Sequence, residues 1–367
     1  MKKAKAIRWW VPQIGAKEGG YIRRVLDNDF PNEGELTTLF EDRVARLLCA
    51  RHAVAVTSGT AAMFLALKAL GIGHGDEVIV PDMTFIATAN AVEMCGAKPV
   101  LADIDPVTMN ISAAAVERAV TNRTRAVMPV HVSGRAADMA AISGLARRRG
   151  IEIIEDAAEA FMSKHKGRHL GTYGRFGCFS FSPHKTITTG QGGMVVTNDE
   201  RMYVRLRELK DQGRPVRGTG GDDRHDVIGY NFKFTDLQAA VGLGQLEYLS
   251  ARVRRMKAIC KLYHRNLKDV NGIKFFDVDD GEVPQWTDCL VERRRELDAY
   301  LAALNISCRR FWFPIHTQVP YKAPDADFPH STKMSARALW LPSAFTMTDG
   351  EVDRVSESIK KFYGGRR

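Results

Sequence analysis

Short apolar runs alternate with amphipathic stretches over the part of the chain that begins at Ala53. Each run is followed by a longer segment whose apolar residues recur at helical spacing. The pairs, in order, are AVAVT and TAAMFLALKALG, DEVIVP and TFIATANAVEMCG, PVLADI and SAAAVERAV, RAVMPVHV and DMAAISGLARRRG, with IEIIED after them. Strands that alternate with helices predict an α/β fold with a mostly parallel central sheet and helices on both faces.

Helical patterns flank this region on both sides. A short helix is predicted from Ala16 to Asp27, and an amphipathic helix from Leu39 to Leu48. A T-x-x-Q capping box at Thr235 predicts the start of a long helix whose apolar stripe continues to Met256. The closing segment, Asp349 to Phe362, has the pattern of a plain amphipathic helix.

The length of 367 residues exceeds that of a typical single core, so about two domains are expected. We place a large domain at residues 30–245 and a smaller α/β C-terminal domain at 246–367. The long helix near residue 245 is expected to connect them. Residues 1–29 form an N-terminal segment that packs with the small domain.

Composition narrows the class of protein. The six cysteines include no CxxC pair, and no signal-like N-terminus is present, which predicts a cytoplasmic location. No apolar run approaches the ~20 residues that span a bilayer, so a soluble protein with no membrane partner is expected. The net charge of +10 comes from 53 basic and 43 acidic residues. Because the basic residues are dispersed, we expect anionic substrates and no nucleic acid.

Candidate chemistry is concentrated in residues 151–197. One apolar run ends in Glu155 and Asp156, and a second is followed by His184, Lys185 and a Gly/Thr-rich turn. Ligands collect outside the carboxyl ends of parallel strands, so these groups could meet there. An acid and a lysine suit pyridoxal 5′-phosphate (PLP), which takes a lysine amine as a Schiff base and needs a carboxylate at its ring nitrogen. No paired cysteine pattern with metal-ligand spacing accompanies the ten histidines, and no metal is predicted.

The motifs also resemble a known family. EDAA is followed by SF, a lysine, TGQGG and VVTND, while SGTAA, FIATANAV and GYNFKFTDLQAA lie elsewhere in the chain. In this order, and over nearly the whole chain from about Val11, they are similar to the DegT/StrS-type PLP-dependent aminotransferases that act on nucleotide-linked keto-sugars. The resemblance implies a fold type I PLP-dependent transferase and a homodimer with shared active sites.

The resemblance assigns roles to the central residues. Lys185 is the implied Schiff-base lysine and proton carrier, and Asp156 the implied partner of the ring nitrogen. Glu159, where relatives often carry His or Gln, is expected near the phenolic oxygen or the substrate. Two structural alternatives remain, since Asp156 could cap a helix formed by AAEAF and Glu159 could complete its capping box.

Other cofactor contacts are implied in the same way. The phosphate cradle lies between the AVAVT strand and its helix and comprises Ser58, Gly59, Thr60 and Ala61. For SGT, residues 58–60, the alternative is an ordinary helix N-cap. Ser180 is the implied second phosphate ligand. Phe85 is expected to stack on the ring, with a core position as the alternative. Asn231 is expected to reach the phosphate from the neighbouring subunit.

Substrate residues are less defined. Arg309, His316 and His184 are expected to line the substrate side, where a guanidinium suits a carboxylate or phosphate; a structural arginine is the alternative. The chain departs from the family pattern at Gln191, where Glu is more frequent, at His184, and in a shorter stretch from Ile273 to Trp286. These departures bear on the substrate pocket and leave the cofactor assignment unchanged.

The expected reaction moves an amino group from L-glutamate to a keto carbon of a nucleotide-linked deoxysugar. KTITTGQGGMVVTND, Glu159 and IGYNFKFTDLQAA are most similar to enzymes that aminate C4 of GDP-4-keto-6-deoxymannose to give GDP-perosamine. A UDP- or dTDP-linked 3- or 4-keto sugar is the alternative, and the pathway stays open. Relatives that dehydrate sugars replace the lysine, and a non-catalytic regulator would need a DNA-binding segment, which we do not find.

Overall fold

The computed structural model describes residues 5–215 and 225–365. The strands are β1 His52–Val56, β2 Glu77–Pro81, β3 Lys98–Ala102, β4 Thr124–Val127, β5 Glu152–Asp156, β6 Lys164–His165, β7 Arg168–His169, β8 Phe176–Ser180, β9 Gly193–Thr197, β10 Ile273–Phe275, β11 Asp288–Val291, β12 Arg309–Arg310 and β13 Ala338–Trp340. The helices are α1 Ala16–Asp27, α2 Glu35–Leu48, α3 Gly59–Ala69, α4 Ala87–Met94, α5 Ala113–Ala119, α6 Met139–Arg149, α7 Glu200–Lys210, α8 Asp236–Leu246, α9 Leu249–Leu267, α10 Arg294–Ala303, α11 Pro329–Ser335 and α12 Asp349–Gly364. Within these ranges no helix is both long enough and apolar enough to cross a membrane.

The central sheet has the strand order β1-β9-β8-β5-β4-β2-β3. Strands β3, β2, β4, β5 and β8 pair in parallel. Strand β9 lies antiparallel to both of its neighbours, β8 and β1, so β1 runs in the same direction as β8. The carboxyl ends of β1, β2, β5 and β8 therefore open on one edge of the sheet, where ligands collect in folds of this kind.

Alternate residues of the strands face two helical layers, as the pleat requires. Helices α3, α4 and α7 cover one face. Helices α2 and α8 cover part of the other face, and α5 and α6 cover the rest. The predicted α/β architecture, with a mostly parallel sheet and helices on both faces, is confirmed.

A second, antiparallel sheet has the order β10-β11-β13-β12. Its core includes residues of α9, α10 and α12, and also Trp9 and Trp10 from the beginning of the chain. Ile7 forms a bridge with Ile306, while α1 packs against α8 of the other core. The N-terminal segment therefore contacts both cores, and the domain boundaries at 29 and 245 stay a prediction.

The predicted capping box forms at the start of α8. The Gln238 amide donates to Thr235 Oγ1 at 3.3 Å, and the Thr235 amide donates to Gln238 Oε1 at 3.2 Å. The single long helix predicted through Met256 is wrong, because α8 ends at Leu246 and a separate helix begins at Leu249. Between them the chain turns towards the N-terminal helix, where the Tyr248 hydroxyl accepts the Lys17 amide at 3.3 Å.

Candidate active site

A cavity of about 290 Å³ lies at the edge where the parallel strands end. The segments after β1, β2, β5 and β8 each contribute to its wall. Trp286, Arg309 and Trp312, from the region of the second sheet, line the remaining side. Its lining includes Ser58, Gly59, Thr60, Thr84, Phe85, Asp156, Ala158, Glu159, Ser180, His184, Lys185, Gln191, Trp286, Arg309 and Trp312. Most of the residues predicted to act together are therefore brought to one place.

Asp156 is the last residue of β5 and is 5% exposed. Its Oδ2 accepts the Thr88 hydroxyl at 2.8 Å, and its Oδ1 accepts the Ala158 amide at 3.1 Å. Burial raises the pKa of this carboxyl, while the Thr88 hydroxyl, the Ala158 amide and the Lys185 ammonium oppose the rise. The helix-cap alternative is wrong, because the residues after Asp156 form turns rather than a helix.

Lys185 lies in the loop after β8, with its Nζ 3.5 Å from Glu159 Oε1 and 4.8 Å from the ring centroid of Trp286. The second Glu159 oxygen accepts the Ser133 amide at 2.9 Å, and no helix follows that Glu159 could cap. Burial raises the pKa of Glu159 to about 7, against the opposing effects of Lys185 and the Ser133 amide. A carboxyl group with this pKa can exchange a proton near neutral pH.

The β1–α3 junction forms a narrow cradle. Ser58 caps α3, and its Oγ accepts the Ala61 amide at 3.1 Å. The amides of Gly59 and Thr60 belong to the first helical turn, which has no carbonyl partners within its own helix. A Cβ at Gly59 would lie 2.9 Å from Cβ of Ser180, so only glycine fits this approach. The helix start and the Ser180 side chain thus form a small site suited to an anion.

Phe85 follows β2 and lines the cavity, although its side chain is 54% exposed. A core phenylalanine would be buried, so the core alternative is wrong. An aromatic face left open at the cavity can stack on a planar ligand.

Comparison with known proteins gives this arrangement a family. Residues 12–360 match the profile of the DegT/DnrJ/EryC1/StrS aminotransferase family. The chain belongs to this family. The predicted family, and with it the expectation of an aminotransferase, is confirmed.

Relatives in this aminotransferase family match the chain over nearly its full length. The GDP-perosamine synthase of Escherichia coli O157:H7 is 38% identical over 366 residues, covering 99% of this chain and 100% of that protein. The solved structure of S. venezuelae DesV in complex with a ketimine intermediate is 34% identical, with a TM-score of 0.90 and coverage of 96% of this chain and 95% of that one. The PLP form of Spr1654 from Streptococcus pneumoniae is 25% identical, with a TM-score of 0.93 and coverage of 98% and 99%.

Of the three residues expected to line the substrate side, two line the cavity and one does not. Arg309 lines the cavity, and its guanidinium carbon lies 4.7 Å from the ring centroid of Trp9 and 5.7 Å from that of Trp340. His184 also lines the cavity, where burial, with Arg309 and Lys185 nearby, lowers its pKa. Arg309 therefore places a positive charge at the cavity, while the lowered pKa favours a neutral His184.

The structure does not bring His316 to the cavity, so its predicted role in substrate binding is corrected. Its side chain is fully buried, with Nδ1 2.7 Å from Asp82 Oδ2 and Nε2 3.2 Å from Asp325 Oδ1. These contacts fix the loop after β2 against the small-domain segment, which is a structural role. Asn231 is exposed, pairs with Asp211 through a β-bridge, and lies outside this chain's own cavity lining. Its role across a dimer interface stays a prediction.

Sequence reasoning missed several residues of this aminotransferase site. Trp286 and Trp312 also line the cavity. They do not follow a strand of the central sheet, so the rule about the carboxyl ends of parallel strands does not predict them. Thr88 touches Asp156 from within α4, and Ser133 contacts Glu159 from a left-handed backbone conformation with φ 52°. Only Thr88 had a sequence signal, since it lies in the FIATANAV motif.

One group of potential metal ligands occurs among the described residues, away from this cavity. Ligand atoms of His165, Asp279 and Glu282 lie within 4.8 Å of one another. The two Glu282 oxygens accept the Ala136 amide at 2.7 Å and the Asp279 amide at 2.9 Å. These bonds give Glu282 a structural role in the loop, and the expectation of no metal stays a prediction.

Proposed function

We propose that the protein is a PLP-dependent aminotransferase that moves an amino group from L-glutamate to a keto carbon of a nucleotide-linked deoxysugar. The observation that carries the proposal is the single cavity that holds Lys185, Asp156 and the Ser58–Thr60 cradle together. A lysine amine, a buried carboxylate and an anion-binding helix start are the three protein groups that this cofactor needs.

The cavity has the size and the donor set for pyridoxal phosphate. The cradle at Gly59 and Ser180 would hold the phosphate, because a side chain larger than glycine would close it. Phe85 would cover one face of the ring, Asp156 would meet the ring nitrogen, and Lys185 would hold the cofactor covalently. When bound, the cofactor supplies an electron sink that makes the α-proton of the amino donor acidic.

Three side chains of the protein would have different roles in proton transfer. Asp156, whose ionised form is favoured by its two hydrogen-bond donors, would hold a proton on the ring nitrogen. Lys185, free after the donor binds, would take the proton from the donor α-carbon and return it to the cofactor side. Glu159 lies 3.5 Å from the amine, where its charge would stabilise the ammonium form of Lys185.

The substrate side favours an anionic acceptor. Arg309 and His184 stand at the cavity, and a diphosphate with about two negative charges would pair with a guanidinium. We propose GDP-4-keto-6-deoxymannose as the acceptor and C4 as the aminated carbon, giving GDP-perosamine; the relative that carries this name supports the choice. A UDP- or dTDP-linked keto-sugar satisfies the same electrostatics and is the second candidate.

We further propose a homodimer with shared active sites. Support comes from Asn231, which is exposed on its own chain and whose motif in similar enzymes reaches the neighbouring cofactor. Each cavity would then contain groups from two chains, as a two-fold interface provides.

The test begins with the purified protein loaded with pyridoxal phosphate. A visible absorption band should appear, and borohydride reduction should fix the cofactor to the peptide that contains Lys185, as read by mass spectrometry. Glutamate and a panel of nucleotide keto-sugars should then give an aminated product, detected by its mass. Labelling of a different lysine would refute the site, and turnover of UDP- or dTDP-sugars without the GDP-sugar would refute the acceptor.

A further inference from the structure

Two buried threonines connect the segment after β2 with the carboxylate of Asp156. Thr88 Oγ1 lies 2.8 Å from Asp156 Oδ2 and 2.9 Å from Thr84 Oγ1. Thr84 and Thr88 are 1% and 0% exposed, so water does not compete for these bonds. The three side chains therefore form a continuous chain of hydrogen bonds within the protein.

The direction of the chain follows from counting protons. Each threonine hydroxyl has one proton and can accept at its lone pairs, whereas an ionised carboxylate only accepts. The Thr88 hydroxyl proton has two acceptors within reach, Asp156 Oδ2 at 2.8 Å and the Phe85 carbonyl at 3.2 Å. The shorter contact, to the charged group, takes the proton. Thr84 then donates to Thr88. Hydroxyls that donate in series towards an anion polarise one another and strengthen the final bond.

We propose that Thr88, supported by Thr84, is the positioning residue that orients the Asp156 carboxylate and keeps it ionised towards the cofactor ring nitrogen. This inference rests on the proposed function. Neither threonine touches the reacting atoms through this chain, so both act through Asp156.

The chain also links two walls of the cofactor site. Thr88 Oγ1 lies 3.2 Å from the carbonyl oxygen of Phe85, the residue whose ring faces the cavity. The first turn of α4 therefore holds the stacking ring and the carboxylate partner in one local unit. The helix holds Oδ2 of the carboxylate at 2.8 Å, while the Ala158 amide, in the turn after β5, holds Oδ1 at 3.1 Å.

Some neighbours of Asp156 favour its ionised form and others oppose it, so a further hydrogen-bond donor affects the balance. Lys185 and His131 favour its ionised form, burial opposes it, and the buried Cys178 and the carboxyl group of Glu159 also face it. A hydrogen bond from Thr88 stabilises the carboxylate without adding a titratable charge to the site. Loss of a hydrogen bond to a charged group changes an equilibrium about tenfold to a hundredfold.

The experiment compares Thr88→Val, which keeps the shape and removes the hydroxyl, with Thr88→Ser, which restores it. Each protein is loaded with pyridoxal phosphate, and three quantities are measured: the cofactor dissociation constant, the visible spectrum against pH, and the single-turnover rate of α-proton removal from glutamate. Thr37→Val is the matched control, because Thr37 Oγ1 also donates to a buried carboxylate, Asp236 Oδ1, at 2.7 Å, but outside the cavity.

For Thr88→Val we expect proton removal to slow about tenfold to a hundredfold. The acid limb of its pH profile should move up by about one to two pH units, because the carboxylate loses a donor and accepts a proton more readily. Thr88→Ser should restore both quantities, and Thr84→Val should slow the step about two- to tenfold through a neutral hydrogen bond. Thr37→Val should lower the melting temperature and leave the spectrum, the pH profile and the rate unchanged.

Two results would overturn the inference. If Thr88→Val keeps the wild-type rate and spectral titration while wild-type protein shows the full cofactor chemistry, the inference fails alone. If wild-type protein binds no pyridoxal phosphate, the proposed function fails and this inference falls with it. Should Thr88→Val not fold, Thr84→Val decides, since a wild-type pH profile in that variant contradicts a directed chain.

Discussion

Replacing Glu159 by glutamine should stabilise the folded chain at alkaline pH and not at acid pH. The side chain is 5% exposed, and burial raises its pKa from the ordinary value of 4.5 to about 7. The unfolded chain therefore releases this proton at lower pH than the folded chain does. Stability falls as pH rises from 4.5 to about 7, because deprotonation favours the unfolded chain across that window.

The size of the effect follows from the same difference. A rise from 4.5 to about 7 corresponds to about 3 kcal/mol of free energy of unfolding, fully developed above pH 7. Glutamine keeps an oxygen for the Ser133 amide and never ionises. Glu159→Gln should therefore gain up to about 3 kcal/mol over the wild type on going from pH 4 to pH 8.

Urea unfolding of the cofactor-free protein at pH 4, 6 and 8 measures this difference. Glu35→Gln serves as the control, because Glu35 has 74% of its side chain exposed and surface changes alter stability by no more than about 0.5 kcal/mol. A Glu159→Gln stability difference that does not change with pH would refute the argument. A gain at pH 8 accompanied by slower transamination would show that the site keeps an unfavourable charge for its chemistry.

Other predictions concern the buried ion pair and the proposed chemistry. Arg135→Met should destabilise the protein by about 3–5 kcal/mol, because it leaves Asp288 buried without the guanidinium that now lies 2.6 Å away. Thermal melting measures this loss, and the double variant Arg135→Met with Asp288→Leu should recover most of it. Asp156→Asn should retain cofactor binding and slow α-proton removal by orders of magnitude in stopped-flow measurements, whereas a wild-type rate would contradict its role. Mixing inactive Lys185→Ala chains with inactive Asn231→Ala chains should restore part of the activity in verified mixed dimers, and no recovery would place Asn231 in its own subunit's site.

Local rules predicted much of the fold. The bounds of α1 agree with the predicted helix, and the Thr235 capping box forms as expected. The meeting of Asp156 and Lys185 at one edge followed from a general property of parallel sheets, because both lie where apolar runs end. Positions set by strand direction can thus be inferred without knowing any long-range contact.

Features that depend on long-range partners could not be predicted. His316 is buried because Asp82, far away in sequence, accepts from its backbone and faces its ring. The break after Leu246 lies beside a contact between Tyr248 and Lys17 of α1, which are 231 residues apart in sequence. The burial of a residue and the identity of its contact partners depend on residues that are distant in sequence. Local sequence patterns therefore do not predict them.

The packing of residues 7–10 has a consequence for biosynthesis. Ile7 exchanges backbone hydrogen bonds with Asn305 and Ser307, and the rings of Trp9 and Trp340 lie 6.1 Å apart. Residues 7–10 must therefore wait for partners that are translated roughly three hundred residues later. Large chains fold by domains during synthesis, but here the wall around Arg309 closes only after the C-terminal sheet exists. A nascent chain halted before Trp340 has Lys185 already made and still lacks the strand that packs beside Arg309.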